Sequence, residues 1–376
     1  MTLRISEADS RKLIAPSSRY SGSMSDTPTE RLHINPAEAS VYHPLIIRAA
    51  AMIKAGKLVA FPTETVYGLG ANALDPDAVA RIFEAKRRPA WDPLIVHVAD
   101  AEMARTLAID TSERFERLQQ EFWPGALTLL VNRSDRIPDI VTAGRRSVGL
   151  RMPSHPVAHY LLRAAQVPIA APSANLFSRT SPTTAAHVIA DLEGRIDAVL
   201  DAGRASIGVE STVLDLTQDP PMLYRPGGVT REQIEAVIGP VAVFTQKEEA
   251  ALSTEIASSP TEGLASPGLA MRHYAPRARV VLVDGGLSEL IATLRGLPEA
   301  RERIGILVPT DWRVPELEGY AVFPWGHWND WDEMAQRLFF AMRFLDDRGV
   351  DLIVAPLPPD HGMGAAIRDR LIKAAR

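Results

Sequence analysis

Short runs of consecutive apolar residues alternate along most of the chain with stretches in which apolar positions recur every three or four residues. The first pattern is that of buried strands and the second that of helices with one face on a core. Between about Val41 and Gly239 the runs predict strands at Leu58–Phe61, Pro93–Val98, Ala126–Val131, Ser147–Arg151, Pro168–Ala171, Ala198–Leu200, Ser211–Asp215 and Met222–Arg225. The longer periods predict helices at Leu45–Ala55, Asp77–Lys86, Val157–Ala165, Thr183–Leu192 and Thr230–Ile238. Several strands follow one another through short loops, which favours an α/β fold on a mixed, twisted sheet with partly covered faces over a regular parallel array.

Between Phe244 and Gly268 the periodicity stops, and "TQKEEAALSTEIASSPTEGLASPG" has the Ser, Pro and Gly content of a linker. Beyond it, "ARVVLVDGG", "RIGILVP" and "DLIVAPLP" are strands separated by helical runs such as Trp331–Arg348, the pattern of a small open Rossmann-like domain. The expected organisation is a loose tail over 1–32, a first domain over 33–243, a linker or lid over 244–278 and an accessory domain over 279–376. A chain of 376 residues suits two cores better than one.

Composition excludes more than it identifies. A net charge of −5, from 41 basic and 46 acidic side chains, provides no global positive field for nucleic acid, so anions must be met by local clusters. The absence of cysteine removes disulfides, thiol nucleophiles and cysteine-ligated zinc, and suits a reducing cytoplasm. No apolar run is long enough to span a bilayer. Residues 1–30 lack the apolar core of a secretory signal, and Met24 offers an alternative start.

Chemistry concentrates where strands end. After Leu58–Phe61 comes "PTETVYGLG", with Thr63, Glu64, Thr65 and Tyr67 ahead of the glycines. "GLGANA" matches a dinucleotide pattern loosely, but "PTETVY" separates it from the strand and the helix begins only near Asp77. A self-satisfied turn would account for one of these hydroxyls. Four polar groups there suit a small ligand carrying an ammonium or hydroxyl. "AKRRPAWDPLIVH" places Lys86, Arg87 and Arg88 at a helix end, where cations also complement the helix dipole; Pro89 then turns the chain toward a strand delivering His97. Arg145, Arg146 and Ser147 open the strand that ends at Arg151. "PIAAPSANLFSRTSPTT" supplies Ala171, with Ser173 and Ser181 as hydroxyl donors, and "GVESTVLDL" and "LYRPGG" supply Ser211, Thr212 and Arg225. Five such strand ends, alternately hydroxyl-rich and arginine-bearing, describe a polar cleft for an anionic nucleotide and a small polar co-substrate. No P-loop, G-x-S-x-G elbow or His/Asp metal pattern competes with it.

Together "FPTETVYGLG", "KRRPAWDPLIVH", "WPGALTLL", "SVGLRMPSHP", "IAAPSANLFSRTSPT", "GVESTVLDL", "LYRPGG" and "MRHYAPRARV" resemble the YrdC-type threonylcarbamoyl-AMP synthase family in its long two-domain form, over roughly Leu45 to Arg376. The resemblance implies a nucleotidyltransferase that makes L-threonylcarbamoyladenylate and pyrophosphate from L-threonine, bicarbonate and ATP. It also implies Mg²⁺ accompanying ATP, no protein-held metal and no organic cofactor. The product would feed a separate tRNA threonylcarbamoyl transferase complex acting at adenosine 37, without stable nucleic-acid binding by this chain. By the same resemblance Thr65, His97, Arg151, Ala171 and Ser211 form the threonine pocket. Lys86, Arg88, Asp92, Ser147, Ser173, Ser181, Arg225 and Tyr274 serve ATP, with Lys86, Arg88 and Arg151 catalytic. Asp92 departs from the Asn or His frequent at that position. The rival class is a non-enzymatic RNA-binding module using the same basic cleft, against which the charge balance argues. Two nearer rivals are a carbamoyl transferase of hydrogenase maturation and an enzyme adenylating another amino acid.

Overall fold

The computed structural model describes residues 28–245, 263–266, 268, 273–315 and 317–376. Most of the expected tail, including Met24, and most of the expected linker lie outside the described residues. The strands of the first sheet are β1 (Glu30–His33), β2 (Val59–Phe61), β3 (Gly68–Asn72), β4 (Ile95–His97), β5 (Leu127–Asn132), β6 (Ser147–Arg151), β7 (Ile169–Ala170), β8 (Ala198–Asp201), β9 (Thr212–Asp215), β10 (Met222–Arg225) and β11 (Ala242–Val243). They lie in the order β1-β8-β2-β3-β7-β4-β6-β5-β9-β10-β11. Parallel pairs such as β4 with β6 stand beside antiparallel ones such as β5 with β6, so the sheet is mixed as expected. β1 begins inside the stretch expected as tail: Glu30 to His33 pair in parallel with Ala198 to Asp201, so β1 forms the sheet edge beside β8.

Helices α1 (Pro44–Lys54), α2 (Pro76–Lys86), α3 (Ala101–Leu107), α4 (Glu113–Phe122), α5 (Asp139–Thr142), α6 (Pro156–Ala165), α7 (Ala185–Leu192) and α8 (Arg231–Ile238) accompany it. The period of two divides each strand between two cores. In β2 and β8, Val59, Phe61, Ala198 and Leu200 meet α1 and α6, while Ala60 and Val199 join the cluster that holds Val79 and Ile82 of α2. Both faces are thus covered there, more fully than the short loops suggested. α2 starts where a cap should: Asp75 accepts from the N–H of Asp77 and Ala78, and Pro76 supplies the first turn. The glycines of "GLG" are strand residues. A Cβ on Gly70 would stand 2.8 Å from both Phe61 and Ile169, so glycine lets β2 and β7 flank β3 closely.

The second sheet is parallel throughout, β12 (Arg279–Val283), β13 (Ile304–Pro309), β14 (Ala321–Gly326) and β15 (Leu352–Pro356) in the order β12-β15-β13-β14. Residues of α9 (Leu287–Gly296) belong to one core cluster, and those of α10 (Trp331–Asp347) and α11 (Gly362–Ala375) to the other, as an open doubly wound fold requires. The tryptophans of "FPWGHWNDW" serve packing: Trp325 is buried and donates its indole N–H to Met334 O at 2.9 Å, and Trp328 tilts against Trp312.

The two sheets are joined by a close interface. Val66 and Val209 of the first domain belong to the core cluster of α10 and α11. Arg343 of α10 pairs with the buried Asp191 at 2.7 Å. Gly208, at φ +83°, lies against the α10 backbone, where an added Cβ would meet Gln336 Cα at 2.4 Å.

Candidate active site

A cavity of about 50 Å³ with polar and apolar walls lies in the first domain where loops and strand ends converge, and Gly268, His273 and Tyr274 from the linker line its remaining side. Its wall contains nine of the thirteen expected site residues, Thr65, Arg88, His97, Arg151, Ala171, Ser173, Ser211, Arg225 and Tyr274, together with Thr63. β4 ends at His97 and the neighbouring β6 ends at Arg151, and the parallel register sets these two residues opposite one another. Ser211 immediately precedes β9, and Arg225 closes β10 beside it.

Every charged wall residue is held. Arg151 is 4% exposed and its Nη2 is 2.8 Å from Glu64 Oε1, in a geometry that leaves both without a true hydrogen bond. Its Nε donates to Gly125 O at 3.2 Å. Arg225 donates from Nε and Nη2 to Ser211 O, at 3.1 and 2.9 Å, and its Nη1 is 3.5 Å from the Tyr274 hydroxyl. Arg88 pairs with Asp92 at 2.9 Å and donates to the carbonyls of Asp92 and Pro93. Burial lowers its guanidinium pKa, and Asp92 opposes that.

Neutral groups complete the wall. Thr63 donates to Val66 O at 2.6 Å, which leaves Thr65 to donate across the 2.8 Å contact to Thr63. The opening "PTET" turn is therefore partly self-satisfied, and Thr65 turns an acceptor outward. Burial, reinforced by Arg151, drives the His97 imidazole down to about 3, so the ring is neutral at pH 7. Its Nδ1 has no partner. A group with that pKa is a weak general base and a good neutral contact.

Four expected site residues are placed elsewhere. Lys86 is buried and donates to the carbonyls of Ser173 and Asn175, both at 2.5 Å, tying the end of α2 to the loop behind the wall. Its ammonium is depressed well below the ordinary value by burial, then by Arg88. Asp92 is fully buried as the partner of Arg88, and burial raises its carboxyl pKa against the pull of that guanidinium. Ser147 sits at the far end of β6, paired with Asn132. Ser181 lies behind the wall and donates its hydroxyl to Glu210 Oε1 at 2.5 Å, so its oxygen is left as an acceptor instead of the donor anticipated.

Glu210 and His273 were missed. Among the described residues Glu210 is the one acidic side chain in the wall, and it stands in "GVEST" directly before Ser211. His273 precedes Tyr274, is 5% exposed, and is held neutral by burial and by Arg88, Lys373, Lys86 and Arg225. The signal for both was adjacency to a chosen residue. Among the described residues no cluster of three or more His, Asp or Glu side chains fits a metal, and no helix is long and apolar enough to cross a membrane.

Comparison with known proteins identifies the family. A family profile named for Sua5, YciO and YrdC, described as telomere recombination, matches residues 51–227, and one described as threonylcarbamoyl-AMP synthase, C-terminal domain, matches 229–376. The threonylcarbamoyl-AMP synthases of Pyrococcus abyssi and Bacillus subtilis are each 44% identical, over 87% and 90% of this chain and 93% and 95% of their own lengths. A crystal structure of P. abyssi Sua5 complexed with L-threonine superposes with a TM-score of 0.79 at 41% identity, covering 93% of this chain and 98% of that one. By its two matched domains, its near full-length relatives and its shared fold, this chain belongs to the threonylcarbamoyl-AMP synthase family.

Proposed function

We propose that the chain is a threonylcarbamoyl-AMP synthase, converting L-threonine, bicarbonate and ATP to L-threonylcarbamoyladenylate and pyrophosphate. The observation that carries this reading is Arg151: a nearly buried guanidinium in the cavity wall, its Nη2 beside Glu64 at 2.8 Å but without a hydrogen bond, sharing the wall with neutral His97 and two further arginines. A carboxylate satisfies such a fork. The P. abyssi structure holding threonine supports the identity of that carboxylate.

In the reaction the threonine amine attacks bicarbonate, water leaves, and a carbamate oxygen attacks the α-phosphorus while the bond to pyrophosphate breaks. None of these steps needs a protein nucleophile. Arg151 orients threonine, with Thr65, Ser211, Ala171 and His97 shaping its pocket. Arg88 and Arg225 meet the phosphates and stabilise charge developing on the leaving group. Lys86, Asp92 and Ser181 act by holding the first rank in place. Mg²⁺ suits this site as an ion carried by the nucleotide: Glu210 already accepts from Ser181 and Arg370, and Asp92 is engaged by Arg88. Its contribution would be to neutralise phosphate charge.

A volume of about 50 Å³ is well below the roughly 300–1,000 Å³ of small-molecule sites, so Tyr274 and its neighbours must withdraw to admit ATP. The segment 244–278 is thus assigned as a lid between a catalytic domain over 33–243 and an accessory domain over 279–376. The product serves threonylcarbamoyladenosine formation in tRNA, in the cytoplasm, through a separate transferase complex.

Pyrophosphate release from ATP and Mg²⁺, with threonine and bicarbonate each present or omitted, tests the assignment. Release that requires both and is much weaker with serine is expected. Release without bicarbonate would mean ordinary adenylation, and no release at all would return the basic cleft to RNA-binding assays.

A further inference from the structure

Beyond residue 279 two charged side chains among the described residues are buried, Arg370 and Lys373, and both come from the last two turns of α11. Arg370 is 0% exposed. Its Nε donates to Glu210 Oε2 at 2.6 Å, its Nη1 donates to Asp369 Oδ2 at 2.5 Å, and its guanidinium carbon stands 4.9 Å from the centre of the Tyr274 ring. Lys373 donates from Nζ to Gly268 O at 2.9 Å, and its carbonyl lies 3.4 Å from the His273 N–H. The second domain therefore touches, with charged or polar groups, each of the four wall residues Glu210, Gly268, His273 and Tyr274.

A buried guanidinium is costly, and an apolar side chain of similar volume would often stabilise the interface as well. What an apolar side chain cannot do is neutralise Glu210. Among the described residues that carboxylate is the one acid in a wall otherwise bearing Arg88, Arg151 and Arg225. With Arg370 in place, Oε2 is committed to the second domain and Oε1 to the Ser181 hydroxyl, which fixes the carboxylate from both sides. Without it, Glu210 would keep only the Ser181 contact among those described and would face a wall whose arginines a polyphosphate would also need.

We infer that Arg370 is a positioning residue of the nucleotide site, supplied by the second domain, which neutralises and orients Glu210 and backs the Tyr274 ring. The inference rests on the reading of this cavity as an ATP site. The second domain then contributes to substrate binding through Glu210 and Tyr274, and its closing helix stands directly behind the cavity wall.

The test uses the full chain and pyrophosphate release with threonine and bicarbonate. Arg370→Ala is expected to raise the KM for ATP about tenfold or more with a smaller change in kcat, because the loss is of ground-state nucleotide binding. Arg370→Lys, which keeps the charge, should restore part of it. The double variant Glu210→Gln with Arg370→Met should recover most of the ATP affinity of the wild type, since it removes the charge that needed neutralising. Circular dichroism and thermal unfolding identify variants that fail to fold, and the double variant, apolar at the interface, carries the test if Arg370→Ala is one of them. Unchanged kinetic constants in folded Arg370→Ala would overturn the inference, as would a double variant no better than the single. A wild type that releases no pyrophosphate would overturn the functional reading and this inference with it; a working wild type beside an unaffected variant would overturn the inference alone.

Discussion

The eleven-stranded sheet and the four-stranded sheet are both α/β layers with apolar cores, yet they treat charge in opposite ways. Around the first, Glu64, Lys86, Arg88, Asp92, Arg151, Asp191, Glu210 and Arg225 are buried. Around the second, Arg303–Asp351, Arg279–Glu299 and Arg368–Asp284 pairs lie at the surface, and the buried charges among the described residues are Arg370, which reaches Glu210 of the first domain, and Lys373, which reaches Gly268 of the linker. The smaller sheet shows that this architecture needs no buried ions to stand. Those of the larger one gather mainly at the cavity wall and directly behind it, with Asp191 turned instead to Arg343 at the domain interface. Water exposure makes the surface pairs nearly neutral for stability, whereas each charge at the cavity wall has been withdrawn from solvent at a cost.

The comparison breaks most readily at Arg151. Arg151→Ala should reduce threonine-dependent pyrophosphate release about 100- to 1,000-fold, the usual loss for one preorganised charged donor; retention of activity would mean the buried charge serves only the fold. Arg225→Ala should cost about 10- to 100-fold, mainly in the KM for ATP, on the scale of hydrogen bonds to a charged group. Lys86→Met sharpens the distinction between wall and support. It leaves the carbonyls of Ser173 and Asn175 without their donor, so thermal unfolding should register a loss of about 2–3 kcal/mol while the KM for threonine stays near that of the wild type.

Acid sensitivity gives a smaller effect. His97 titrates near 3 in the folded protein against 6.5 in its reference state, so the unfolded chain binds the extra proton and stability falls as pH drops through that window. Denaturant titrations should show about 2 kcal/mol lost to this residue between pH 7 and pH 5, and His97→Gln should flatten that slope. The smallest effect belongs to the second sheet: Arg303→Ala, at a pair 52% and 56% exposed, should leave thermal unfolding nearly that of the wild type.

Much of this was legible in the chain. Apolar runs located β6 and β10 to the residue, and the residues at strand ends gave most of the wall. Gly68–Asn72 is a strand that the sequence disguises, because glycines chosen for close sheet packing look locally like a turn. β1 was missed since four residues with one buried side chain, Leu32, carry no period; its partner β8 lies far along the chain. The supporting roles of Lys86 and Asp92 were beyond sequence reasoning for a different reason. A cation beside a cavity and a cation behind its wall have the same local sequence, and only the carbonyls of Ser173 and Asn175 distinguish them. Glu210 draws its meaning from Arg370, a partner that only the fold brings near.

Gly208 has a consequence for how this protein can be recombined. Its backbone is pressed so closely on α10 that alanine there would collide with Gln336 Cα. The second domain is consequently seated at a fixed depth, and a displacement by the width of one methyl group would carry α11 away from the cavity together with α10. A chimera joining this first domain to the second domain of a relative should work only when glycine at this point meets a helix whose backbone is equally bare. The compatibility of two halves would then be decided at a position that touches no substrate, and grafting libraries should recover that pairing before any residue of the cavity wall.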